Sequence, residues 1–270
     1  MTGKKTLRLL ATGNSHLGAV KLAWDRLALQ YPRVEVQFLG APRETFDSFA
    51  RQGSRFGLFD ESQVPKRMLE GMKAAMPALI VDLADFDAVL AVGPDWGEIV
   101  LLGLLQRFGV DGIRPAKGAM DMLSAGAYAA FCADIAATSR AVGVVKKLAL
   151  GPVAVIPRPI RSELILQSTE ADGRHFQALA GHPDGMIAAI GVHQAAFARV
   201  IAGHGAAVIA QPAETLAPCG LTRSACSIGQ KTVTTRGEAR VVVDVVHMTA
   251  DYGAIVLAQY LDRVVAGDLG

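Results

Sequence analysis

Apolar residues along this chain fall into short continuous runs that alternate with stretches of helical period. Leu7 to Thr12 is an apolar run closed by Gly13-Asn14, after which Leu17, Val20, Trp24 and Leu27 recur on one helix face. Val34 to Leu39 ends at Gly40 and Pro42, Phe86 to Val92 ends at Gly93-Pro94, and Val153 to Ile156 is stopped by Pro157 and Pro159. Each of these runs predicts a strand, and Ala207 to Ala210, closed by Gln211-Pro212, predicts a fifth. Helices fit Lys66 to Met76, Trp96 to Phe108, Met122 to Arg140 and Met186 to Ala202. Val241 to Val245 is apolar and extended. Thr249 then caps a last helix, with Asp251 in its first turn and Ile255, Ala258, Leu261 and Val265 on its inner face.

Strands separated by helices predict an α/β protein with a mostly parallel five-stranded sheet, because each parallel crossover lays a helix on one face of the sheet. No Gly/Ser/Pro linker and no repeat interrupts the alternation, so a single domain over residues 1–270 is expected. Two segments, about 43–83 and 212–240, exceed ordinary connections. They read equally as lids or binding loops and as cover for the sheet edges. Composition agrees with a large buried core: 51% of the residues are hydrophobic and aromatics are only 6%, which suits small side chains packed between helices and a sheet.

Charge narrows the partners. The formal net charge is +2, from 27 basic and 25 acidic residues, with no basic arm, so nucleic acid is not expected. Gly185 to Ala198 and Val200 to Ala213 are the longest uncharged stretches and fall short of the roughly 20 residues that span a bilayer, so no membrane span is expected. Lys4-Lys5 and the leucines that follow imitate a signal peptide, but the run breaks at Gly13-Asn14, and a cytoplasmic protein is expected. Cys132, Cys219 and Cys226 have no metal or redox spacing. His175, His182, His193 and His204 do not make a metal site either: His193 and His204 are about 16 Å apart along a helix, and Gly181-His182-Pro183 breaks the earlier pair. Gly13 to Gly18 has the glycine spacing of a phosphate loop, but Ala19-Val20 stands where Lys-Ser/Thr is required.

Ligands of open α/β sheets bind outside the carboxyl ends of the strands. Those ends carry Gly13-Asn14-Ser15-His16, Gly40, Gly93-Pro94-Asp95-Trp96, Gln211, and Asp244 to His247. A serine hydroxyl needs a base to take its proton, and the base needs a third group to fix its tautomer. His247 and Asp244, three residues apart on an expected loop before the last helix, suit those roles for Ser15. The competing reading makes Ser15 a helix cap, His247 an ordinary helix-start histidine and Asp244 a turn residue. His16 and Gln211 project near the same rim and are candidate substrate contacts.

The residues Gly13-Asn14-Ser15-His16 after the first strand resemble the nucleophile block of the SGNH (GDSL-type) hydrolases, and Asp244-Val-Val-His247 resembles their DxxH block. The two blocks lie near opposite ends of the chain, as in that family. The resemblance implies a flavodoxin-like three-layer α/β/α sandwich and a serine-dependent esterase or deacylase that needs no cofactor. Its substrates would be small-molecule esters or acylated carbohydrates. Ser15 would be the nucleophile, His247 the base and Asp244 its orienting carboxylate. The oxyanion would be held by the backbone N–H of Ser15, that of Gly40, and an Asn side chain after the third strand. Here the chain departs from the family: Asp95 stands in the Asn position, and Asn14 is the only asparagine in the sequence. An ionised carboxylate cannot donate a hydrogen bond. The expected repairs are a protonated Asp95, the Trp96 indole as donor, or a two-donor hole. Two alternatives stay open beside the esterase: a binding protein without turnover, and an acyltransferase using the same acyl-enzyme.

Overall fold

The computed structural model describes residues 6–113, 121–168, 171–235 and 238–267. Its first part runs β1 (Leu7–Gly13), α1 (Leu17–Leu27), β2 (Val34–Gly40), α2 (Arg43–Asp47), β3 (Ala50–Gln52), β4 (Arg55–Gly57), α3 (Lys66–Ala75), β5 (Ile80–Asp82), β6 (Ala88–Val92) and α4 (Glu98–Arg107). There follow β7 (Phe108–Val110), β8 (Asp121–Leu123), α5 (Ala125–Ala137), α6 (Arg140–Leu148), β9 (Val153–Ile156), α7 (Ala171–Ala180), α8 (Pro183–Gly203) and β10 (Ala206–Val208). The chain closes with β11 (Ser227–Thr235), β12 (Glu238–Met248) and α9 (Ala250–Ala266).

Five strands form a parallel sheet in the order β10-β9-β6-β1-β2. They are the five runs that the hydrophobic pattern predicts, with ends shifted by at most two residues. Both faces of the sheet are buried, and the side chains alternate strictly between them. Leu9 and Ala11, Ala88, Leu90 and Val92, and Ala154 and Ile156 enter the core shared with α1 and α9. Leu10, Val89, Ala91, Val153 and Val155 enter the larger core with α4, α5, α6 and α8. This period of two inside continuous apolar runs is what a sheet covered by helices on both sides requires. The arrangement is compatible with a three-layer α/β/α fold.

One feature departs from the predicted elements, and two others are given their form by the structure. The helix expected over Met122 to Arg140 is two helices, α5 and α6, meeting at a bend of 45°. At the break Thr138 Oγ1 turns back to the Asp134 carbonyl and Ser139 takes an extended conformation, so the backbone cannot continue as one helix. The segment 43–83 folds into α2, a small antiparallel sheet in the order β3-β4-β5, and α3, and buries Phe46, Phe49, Phe56 and Leu58 in the larger core. Val241 to Val245 lies outside the main sheet, in an antiparallel hairpin of β11 with β12. α8 is long and apolar enough to cross a membrane by length and composition; here it packs against α5 and β10.

Strand order reverses between β1 and β6, which lead to helices on opposite faces of the sheet. Such a switch point opens a crevice at the carboxyl ends of the two strands. The Ser15 loop follows β1 and the Asp95 loop follows β6, so both line it.

Candidate active site

At the end of β1 the chain turns into α1 through Asn14-Ser15-His16, with Leu17 N–H donating to the Asn14 carbonyl at 2.9 Å. Asn14 fastens this turn to the neighbouring one: its Nδ2 donates to the Gly93 carbonyl at 2.7 Å and its Oδ1 accepts from His16 N–H at 3.1 Å. Gly93 has φ +78°, and a Cβ there would lie 2.5 Å from Asn14 Oδ1 and 2.6 Å from His16 Cβ. Only glycine allows both the backbone conformation and this approach. Asn14 was not among the residues singled out from sequence. Its clamp spans two loops 79 positions apart, and no local signal marks it.

Asp244 and His247 sit on β12, at the strand's end, and not on the loop expected from sequence. In a regular strand, residues three apart face opposite sides of the sheet. The register of the hairpin shifts between Ser227 and Gly229, and Gly229 has φ +70°, so the partner stretch from Asp244 to Met248 is bulged. The bulge brings the two side chains to one side. Asp244, 5% exposed, accepts backbone N–H bonds from Val246 at 3.0 Å and His247 at 2.9 Å through Oδ1. Its Oδ2 lies 2.9 Å from His247 Nδ1, and His247 Nε2 lies 2.9 Å from Ser15 Oγ. A buried carboxylate on Nδ1 selects the tautomer with its proton there, which leaves Nε2 as acceptor for the Ser15 hydroxyl. Ser15 does not cap α1, which has no side-chain cap bond.

The His16 ring stacks on that of His247, with centroids 5.3 Å apart. Burial, followed by the nearby His247, Arg158 and Arg161, drives the His16 pKa down to about 3, so it is neutral. It backs the His247 ring and also lines the cleft that holds Ser15 and His247.

Asp95 Oδ1 accepts from Gly97 N–H at 2.8 Å, and Oδ2 faces Arg158 at 3.3 Å and Arg43 at 3.8 Å. Arg158 also forks onto the buried Glu98, with Nε–Oε1 3.0 Å and Nη2–Oε2 2.9 Å. Burial opposes the charge on Arg158, but the Glu98 carboxylate outweighs it and raises the guanidinium's pKa. Neither Glu98 nor Arg158 was singled out from sequence. A glutamate in the first turn of an apolar helix was the only hint.

Two of the expected contacts are committed elsewhere. The Trp96 indole N–H donates to the Arg158 carbonyl at 3.0 Å, and the ring is buried and stacked on His193. Trp96 therefore cannot turn to an oxyanion without breaking that bond. Gln211 Oε1 accepts from Ile160 N–H at 3.0 Å, while its Nε2 donates to Thr222 at 2.9 Å and Thr215 at 3.2 Å. It braces loops and lines a pocket that does not include Ser15. Gly40 N–H lies 3.2 Å from the sulfur of Met76. His193 packs against Trp96, and the His175 side chain lies outside those described.

Ser15 stands between two openings. On one side is a polar cleft of about 260 Å³ lined by Arg43, Asp95, Arg158 and His247. On the other is an apolar groove of about 490 Å³ lined by Phe38, Met68, Met72 and Met76. No family model and no curated protein matches the chain.

Proposed function

We propose that the protein is a serine-dependent esterase or deacylase of the SGNH type, built on a flavodoxin-like three-layer sandwich, that acts on a small-molecule ester or an acylated carbohydrate. The observation that carries this reading is the unbroken line from Asp244 through His247 to the exposed Ser15 hydroxyl, each step at 2.9 Å. In this mechanism Ser15 Oγ attacks the acyl carbon while its proton passes to His247 Nε2. Asp244 stabilises the imidazolium that results. The proton then goes to the leaving alkoxide, the ester C–O bond breaks, and an acyl-serine remains. Water, deprotonated by His247, attacks the acyl carbon and releases the acid and free Ser15. An alcohol in place of water would make the same site an acyltransferase.

Two backbone donors serve the oxyanion in this reading, the N–H groups of Ser15 and Gly40. Trp96 is left out because its indole is already bonded. Asp95 contributes a donor only in its protonated form, and a missing donor costs about 10²–10³ in rate. A carboxyl group in that position favours the second reading, a protein that binds an ester-like ligand without turning it over.

A fluorophosphonate probe, applied beside hydrolysis of a short-chain aryl ester, tests the proposal. Wild type should label and turn over, and Ser15→Ala should do neither. Labelling that survives the substitution rejects Ser15 as nucleophile. Absence of both reactions in wild type favours the binding reading.

A further inference from the structure

The groove beside Ser15 is apolar almost throughout, and its wall on the α3 side is a row of thioethers. Met68, Met72 and Met76 recur every four residues along α3 and its C-terminal cap, and face Leu17, Phe38 and Ala41. Of the ten residues of α3, Met72 alone is buried. The helix is fastened to the loop after β2 by two sulfur contacts, Gly40 N–H to Met76 at 3.2 Å and Thr45 Oγ1 to Met68 at 3.2 Å, and to α1 by Lys21 Nζ on the Ala75 carbonyl at 3.3 Å. Thioethers are weak acceptors on pliable side chains. The Gly40 amide, one of the two backbone donors assigned above to the oxyanion, is thus covered by a group that is easily displaced.

We propose that the groove receives the hydrocarbon acyl chain of the substrate, and that this chain displaces Met76 and uncovers the Gly40 N–H. The inference rests on the reading of Ser15 as nucleophile and names the substrate class of that site. The groove opens directly on Ser15 and Gly40 and offers an acyl group at Ser15 a nearly all-apolar channel for its hydrocarbon, whereas the cleft opposite, though it includes Phe46 and Val144, carries arginines and carboxylates. An acetyl ester leaves Met76 in place and must break its bond to Gly40 on the way to the transition state. A longer chain breaks that bond on binding, so the energy of the remote hydrocarbon raises kcat as well as lowering KM.

Two measurements test this, and one of them needs no turnover. In the first, Ser15→Ala protein carrying isotope-labelled glycine is titrated with decanoate. The Gly40 amide resonance should move, and the added substitution Ala75→Glu, at an exposed groove position, should abolish the movement. In the second, aryl acetate, butyrate and octanoate are compared. In wild type kcat/KM should rise about fourfold per methylene and kcat by up to about tenfold over the series. Met76→Ala should raise kcat for the acetate to near the octanoate value. A Gly40 amide that decanoate leaves unmoved, or a kcat equal for acetate and octanoate in an enzyme that labels at Ser15, overturns the proposal. A Gly40 shift in a protein that neither labels nor turns over upholds the groove and sinks the hydrolase reading instead.

Discussion

Replacing His16 by phenylalanine isolates the electrostatic role of the ring that backs His247. His16 is 8% exposed, its Nδ1 has no hydrogen-bond partner among the described residues, and its pKa stands at about 3 against 6.5 for a free histidine. Between those values the unfolded chain binds a proton that the folded one refuses, so stability rises with pH: the contribution is fully present above 6.5 and is lost as the pH falls toward 3. Each pH unit in that window costs about 1.4 kcal/mol, so at pH 5 the wild type should lose about 2 kcal/mol relative to neutral pH through this residue alone. Phenylalanine keeps the ring and the stack and removes the titration. Urea unfolding of both proteins at pH 5 and pH 8 reads the difference, and the fall between the two conditions should be about 2 kcal/mol smaller in His16→Phe. His193, whose pKa burial also lowers, is common to both proteins and cancels. An equal fall in both would refute the reasoning, since it would mean that His16 protonates inside the fold. The imidazolium of His247 would then form beside a like charge.

Asp95→Asn leaves the fork between Arg158 and Glu98 in place and supplies an amide where the SGNH resemblance expects one. Ester hydrolysis should rise, by up to about a hundredfold, and a collapse in kcat would assign the carboxyl a role of its own. Gln211→Ala strips partners from Ile160 N–H and from the hydroxyls of Thr215 and Thr222. It should cost about 1–3 kcal/mol in denaturant unfolding with kcat unchanged; a fall in kcat with stability retained would put Gln211 back at the substrate.

Much of the scaffold was legible in the chain because strand and helix signals are local. Val153 to Ile156 is bounded by proline on one side and glycine-proline on the other, and the strand matches the predicted run residue for residue. Thr249 caps the last helix through a bond from Tyr252 N–H at 3.3 Å, as the spacing of polar and apolar residues requires. The break between α5 and α6 was not legible. Thr138-Ser139 follows an alanine-rich stretch of strong helix propensity and reads as its continuation; in the fold α5 packs on α8 while α6 turns away onto β6 and β9.

By itself the sequence determined which residues end each parallel strand, and therefore that Ser15, Gly40 and Asp95 share one rim, because hydrophobic period and glycine-proline stops are written in adjacent positions. Tertiary structure alone decided what those residues touch. The bulge opposite Gly229 turns Asp244 and His247 to the same side, the Arg158 carbonyl claims the Trp96 indole, and α3 lays the Met76 sulfur on the Gly40 amide. Hydrogen bonds are satisfied by whichever donor and acceptor the packed chain brings within about 3 Å, and Trp96 and Gly40 lie 62 and 36 positions from their partners, too far for any local pattern to specify.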